Sequence, residues 1–157
     1  MRVSSSSSPE ISGQPSRQER QVLRIIEMMN TIDAIAAVIV DSAFKIHKEL
    51  GAGLLESAYE ACLEHELKKR GFAVERQKAQ PVHYDGIVID AGYRIDLLVN
   101  DLIIIELKAV VELAPIHHAQ LMTYLKLSRK SLGFLINFNV PLIKNGIRRV
   151  ANQFQES

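Results

Sequence analysis

Two apolar runs, at 93–99 and 102–108, constrain the fold of this chain more than any other feature, because charged residues interrupt them where packing alone would not place a charge. The first reads Tyr93-Arg94-Ile95-Asp96-Leu97-Leu98-Val99 and the second Leu102-Ile103-Ile104-Ile105-Glu106-Leu107-Lys108, with Asn100-Asp101 between them. Such Leu-, Ile- and Val-rich runs are expected of strands covered on both faces and joined as a β-hairpin. Side chains alternate along a strand, so Glu106 and Lys108 share a face and Leu107 points the other way. The position of Asp96 depends on the turn. A two-residue loop pairs Asp96 with Ile105 and sends Asp96 and Glu106 to opposite faces, whereas an odd-length loop or a bulge brings them together. A shared site therefore predicts the irregular turn.

The rest of the chain supplies the layers around this hairpin. Ile32, Ile35, Ala36, Ile39, Ala43, Ile46 and Leu50 follow a helical period that ends at Gly51 and Gly53. A second helix is predicted over about 55–70, closed by Gly71. Alternation over 72–77, and over 82–84 and 87–90 around Asp85-Gly86, predicts further strands and a second hairpin. Pro115 opens a third helix over 116–127, 132–138 reads as a buried strand and 146–150 as a short edge element. This order predicts an α/β (α+β) fold with a mixed central sheet flanked by helices. Residues 1–20 are Ser-, Pro- and Gln-rich and read as a flexible tail, with a short helix over 21–29. Met28 and Met29 precede the first strongly periodic segment, so translation is expected to start there, with 1–28 as upstream sequence, a domain over 31–152 and a tail over 153–157.

At 157 residues the chain is one domain's worth, and its +1 formal charge gives no global attraction to a polyanion. Cys62 is the single cysteine, which fits a reducing cytoplasm and leaves no zinc-ligand cluster. The run at 32–40 is too short to span a bilayer.

Two carboxylates about 4 Å apart repel by roughly 4 kcal/mol at an effective dielectric of 20, so both stay ionised only beside something positive. Lys108 can offset one of them. Mg²⁺ (or Mn²⁺) can offset both, taking Asp96, Glu106 and the Leu107 carbonyl as oxygen ligands. Lys108 is then placed to orient or help deprotonate water for attack on a phosphodiester. The structural alternative is a cross-strand ion pair, or acids that face water beside a snorkelling lysine. His117, Gln120 and Tyr124 form one stripe of the third helix, read either as substrate contacts or as half-buried groups that pair with backbone. Glu56 either complements the helix dipole or adds a third carboxylate to a metal site. Tyr59 and His47 read as packing.

Gly53-Leu54-Leu55-Glu56-Ser57-Ala58-Tyr59 carries the Gly-x-x-Glu-x-x-Tyr signature. With the 96–108 hairpin, Pro115-Ile116-His117-His118-Ala119-Gln120 and Asn137-Phe138-Asn139-Val140-Pro141, the chain resembles the GxxExxY family of the PD-(D/E)XK nuclease superfamily over about 31–152. The resemblance implies a restriction-endonuclease-like core. By similarity, Glu56 is the acid of the early helix, Asp96 and Glu106 are metal ligands, Lys108 activates water, and Gln120 with Tyr124 forms a substrate-contacting Gln-x-x-x-Tyr motif. Ala52 departs from the Gly-Pro-Gly turn expected in relatives, which alters loop stiffness and not chemistry.

Lys68-Lys69-Arg70, Arg76 with Lys78, Lys126 with Arg129-Lys130, and Lys144 with Arg148-Arg149 are the local basic groups. The Lys126/Arg129 side is the preferred phosphate track, and the first group reads as a solvated helix end. No helix-turn-helix, zinc finger or RNA-stacking motif is present, so nucleic-acid binding is expected to be non-sequence-specific, with a protein partner supplying any specificity. The leading expectation is a metal-dependent nuclease hydrolysing phosphodiesters in DNA or RNA. The alternatives are a catalytically silent nuclease fold that binds nucleic acid or a protein, and an oligomerising structural protein whose charges form ion pairs.

Overall fold

The computed structural model describes residues 13–29 and 31–153. The expected tail over 1–12 and the last residues, 154–157, lie outside the described residues.

Helix α1, Arg17–Met29, begins earlier than its apolar pattern suggests. Ser16 Oγ accepts from the Glu19 amide at 3.1 Å and the Glu19 carboxylate accepts from the Ser16 amide at 2.7 Å. This reciprocal capping box draws 17–20 into the helix, which corrects the reading of those residues as tail. Helix α2, Ile32–Leu50, is capped by Thr31, whose hydroxyl accepts from the Ala34 amide, and it ends at Gly51 in the left-handed region (φ 67°). Helix α3, Glu56–Lys69, closes with the Gly71 amide donating to Lys68 O and the Phe72 amide to Leu67 O, a Schellman ending. That ending occupies Phe72, so the first strand, β1, runs Val74–Ala79 and not 72–77.

The remaining elements are β2 (Val82–Tyr84), β3 (Ile87–Ile89), β4 (Arg94–Val99), β5 (Ile103–Lys108), α4 (Pro115–Ser128), β6 (Leu132–Asn137), a 3₁₀ turn (Ile143–Asn145) and β7 (Ile147–Ala151). Five strands form one mixed sheet in the order β1-β4-β5-β6-β7, in which β5 and β6 run parallel and the other pairs antiparallel. The parallel pair needs a crossover, and α4 supplies it. The expected β2–β3 hairpin forms a separate two-stranded ribbon, with Tyr84, Ile87 and Val88 exposed.

Alternation along the central strands builds two cores. Leu97, Val99, Ile103, Ile105, Leu107, Phe134 and Ile136 pack under Ile35, Ile39, Tyr59 and Leu63 of α2 and α3. On the other face Leu98, Ile104 and Leu135 meet Leu121, Tyr124 and Leu125 of α4. The fold is thus a helix-flanked mixed sheet of the restriction-endonuclease-like kind. Among the described residues no helix is long and apolar enough to cross a membrane.

Gly146 holds the end of β6 in place. Its carbonyl accepts from the Asn137 amide at 2.8 Å, and a Cβ at this position would collide with the Asn137 carbonyl oxygen. Gly146→Ala is expected to lower unfolding stability by about 1–3 kcal/mol, read as a lower urea midpoint at unchanged slope; an unchanged midpoint would show that the strand end yields freely.

Candidate active site

The hairpin turn is the irregular one. Asn100 and Asp101 both sit at positive φ (50° and 55°), and the Leu102 amide donates to Val99 O at 2.9 Å. The ladder nevertheless pairs Val99 with Ile103, Leu98 with Ile104 and Leu97 with Ile105, leaving three loop residues. This register carries Asp96 opposite Glu106, where the regular ladder stops. In its place each acid caps the other strand: the Asp96 amide donates to Glu106 Oε1 at 3.1 Å, and the Leu107 amide donates to Asp96 Oδ2 at 2.9 Å.

The pleat of β4 is disturbed at the same point. Ile95 joins Leu98 in the α4-side core, although strict alternation would place it with Leu97. Opposite Asp96 on β1, Gln77 has φ 54° and is missing from an otherwise continuous register. This break is a bulge-like irregularity, and it turns a polar side chain toward the acids. Gln77 Nε2 donates to Asp96 Oδ1 at 3.2 Å and to Glu60 Oε1 at 2.6 Å. Glu60 is itself buried and paired with Arg76 at 3.1 Å. Asp96 is thereby tied to α3 through Gln77.

Glu106 is only 3% exposed. Burial, and then the charge of Asp96, push its carboxyl up to about 9, opposed by the hydrogen bond from the Asp96 amide and by Lys108. Among the described residues, neither Asp96 nor Glu106 has a basic side chain within 4.0 Å. The Glu106 carboxyl therefore keeps its proton at neutral pH, and a hard divalent ion that replaces this proton fits the donor set. Among the described residues no three His, Cys, Asp or Glu side chains group closely enough to hold a metal. Glu56 thus does not join Asp96 and Glu106 in a cluster of three acids, and the oxygen donors that lie side by side are those two carboxylates.

Glu56 nonetheless belongs to the same neighbourhood. It is exposed at the first turn of α3, and its carboxyl lies above the usual glutamate value through partial burial and the charges of Asp96 and Glu60, with Lys108 and the Ala109 amide opposing. Tyr59, one turn later, is fully buried, stacks on Phe138 at 4.4 Å and donates its hydroxyl to Gly51 O while accepting from the Leu54 amide. The Gly53-x-x-Glu56-x-x-Tyr59 pattern is thus an anchored turn that delivers Glu56 to the sheet. His47 binds the Val140 carbonyl at 2.8 Å, a structural contact.

Lys108 is half-buried, and its ammonium donates to Gln120 Oε1 at 3.4 Å. Gln120 in turn donates to the Tyr124 hydroxyl at 3.4 Å. Tyr124 is 4% exposed, and burial and then the charge of Glu106 hold its phenol above the usual value. His117 is drawn elsewhere: its Nδ1 accepts from the Ala114 amide at 3.0 Å and caps α4. Asn137, a lone amide in the apolar 132–138 run, enters the sequence reading only as part of the family resemblance, with no role assigned to it. It is 1% exposed and clasps Val110, accepting from its amide and donating to its carbonyl, which fixes the chain just beyond Lys108. Glu60 was also missed, although it lies four residues after Glu56 on the same helix face.

The family model of the PD-(D/E)XK nuclease superfamily matches residues 33–150. The chain belongs to this superfamily. The match spans nearly all of α2 and continues into β7, so it contains Glu56, Asp96, Glu106, Lys108, Gln120 and Tyr124 and leaves out α1. No curated protein and no solved structure matches the chain.

The raised Glu106 carboxyl has a consequence for stability in this superfamily fold. Between about 4.5, its ordinary value, and about 9, the folded state keeps a proton that the unfolded chain releases. Stability therefore falls as pH rises through that window. Glu106→Gln is expected to stabilise the metal-free protein by on the order of 3 kcal/mol at pH 7 and to flatten the decline, with little difference near pH 4.5. Urea titrations in EDTA across this range check it; parallel pH profiles for the two proteins would contradict it.

Proposed function

We propose that the chain is a metal-dependent nuclease of the GxxExxY kind, hydrolysing phosphodiester bonds in DNA or RNA. The observation that carries this reading is the Asp96–Glu106 pair, interlocked across two strands with no basic side chain within 4.0 Å among the described residues, and with Lys108 next along the face of Glu106. Asp96, Glu106 and the Leu107 carbonyl would hold Mg²⁺ or Mn²⁺, which when bound neutralises developing phosphate charge and acidifies water. Lys108, as an ammonium steadied by Gln120, would orient the attacking water and favour its hydroxide form, the proton leaving to solvent. Gln120 and Tyr124 bear on the substrate phosphate or sugar, and Glu56 adds a third acid at the mouth of the site. His117 lies one turn before Gln120 and offers its free ring edge to substrate.

Phosphate contacts in this reading come from Lys126 and Arg129 at the far end of α4, both exposed and outside the ion pairs of the described residues. They hold the backbone without reading sequence. The second reading is a catalytically silent module that binds nucleic acid or a protein partner, and the other basic groups favour the protein partner. Arg70, Arg76, Lys78, Lys130 and Arg149 are all engaged by acids, which leaves a short track for a polyanion.

Incubation with single- and double-stranded DNA and RNA separates the two. The hydrolytic reading expects cleavage with Mg²⁺ or Mn²⁺, none in EDTA, and a loss of about 10²–10⁴-fold in rate for Lys108→Ala and Asp96→Ala, with circular dichroism unchanged. Equal rates for wild type and both variants, or no cleavage by any, would sink it. Salt-dependent binding without cleavage would establish the silent module instead.

A further inference from the structure

A cavity of about 380 Å³ opens beside the candidate site, lined by Val82, Tyr93, Gln120, Thr123, Tyr124 and Leu127. It lies against β2 and α4 and shares Gln120 and Tyr124 with the group around Lys108. Its volume is in the range of small-molecule sites. Three features limit what it can take. The walls are mostly apolar, with polar groups from Gln120, Thr123 and the two tyrosines. Tyr124 is buried, but Tyr93 is 48% exposed and stands edge-on to it at 6.3 Å and 66°, which leaves a ring face of Tyr93 uncovered. The main chain behind that ring is fixed, because the Gln80 amide donates to Tyr93 O at 2.9 Å. An exposed aromatic ring on a braced backbone is a stacking platform for a flat apolar group.

We infer that this cavity receives one unpaired nucleobase of the substrate, stacked on Tyr93, from the nucleotide next to the phosphate that is cut. The inference rests on the nuclease reading above and deepens it by naming the substrate class. Continuity with the site selects this occupant: the same Gln120 side chain meets Lys108 and lines the cavity, so a nucleotide whose phosphate lies at the acids reaches the cavity with its own base. A base held inside a duplex presents only its edge and cannot stack on a side chain. Single strands, frayed ends and loops can, since every base offers a ring face regardless of sequence. The substrate class is therefore unpaired nucleic acid, without base specificity.

The test uses the full chain carrying Lys108→Ala to prevent turnover, in Mg²⁺, with short single-stranded DNA and RNA oligonucleotides containing 2-aminopurine and their duplexes. Quenching of the probe on single strands and not on duplexes is expected. Adding Tyr93→Ala should abolish the quench and weaken single-strand binding by roughly 5- to 100-fold, while Tyr93→Phe keeps both. Unchanged affinity and quench in Tyr93→Ala would overturn the cavity's role and leave the nuclease reading standing if the wild-type chain still cleaves. Equal quenching of duplex and single strand would also overturn it. Absence of both binding and wild-type cleavage would remove the nuclease reading together with this one.

Discussion

The exchange of hydrogen bonds between Asp96 and Glu106 is the constraint on which the rest of the centre depends. At this level of the sheet two carboxyl groups replace the ladder, Glu106 accepting the Asp96 amide and Asp96 the Leu107 amide. Buried amides need partners, so the acids perform a structural task even without a cation. The arrangement is electrostatically costly, because Glu106 is buried next to a second acid, and the raised carboxyl records that cost. Apolar strands on either side supply the compensating burial. The candidate centre is thus a local defect in a sheet that is otherwise well packed.

Three separate devices steer side chains into the defect. The three-residue turn sets the register that opposes Asp96 and Glu106. The break at Gln77 connects Asp96 to Glu60 and so to α3. Asn137 clasps Val110 and determines where β5 ends after Lys108. Each device is a departure from regular secondary structure, and each uses backbone or amide groups, with charge kept for the acids and lysine themselves.

This division explains what could be read from the sequence. The helices were legible because their apolar periods are long and their ends carry capping residues, and the central strands because their runs are nearly unbroken. The need for an odd-length turn was legible only as a condition, since Asn100-Asp101 alone suggests two residues; Leu102, apolar yet left in the loop, decides it. The break at Gln77 and the roles of Glu60 and Asn137 were hidden, because each depends on a partner brought near by the tertiary fold; the capping use of His117 is local, made to the Ala114 amide three residues earlier, and was hidden because a histidine on that stripe reads equally as a substrate contact. The start of α1 was hidden for a different reason: Ser16 and Glu19 sat in a stretch whose composition resembled a tail.

The parallel pairing of β5 and β6 also has a consequence for the order in which the centre can appear. The acids and lysine lie on β4 and β5, but the clasp comes from Asn137 at the end of β6, after the whole of α4 has been made. Closing that pair requires a chain loop of helix length to be drawn shut, an entropically late event. A growing chain that has displayed its charged hairpin still lacks the frame that positions it, so the centre takes shape only when nearly the whole domain is present.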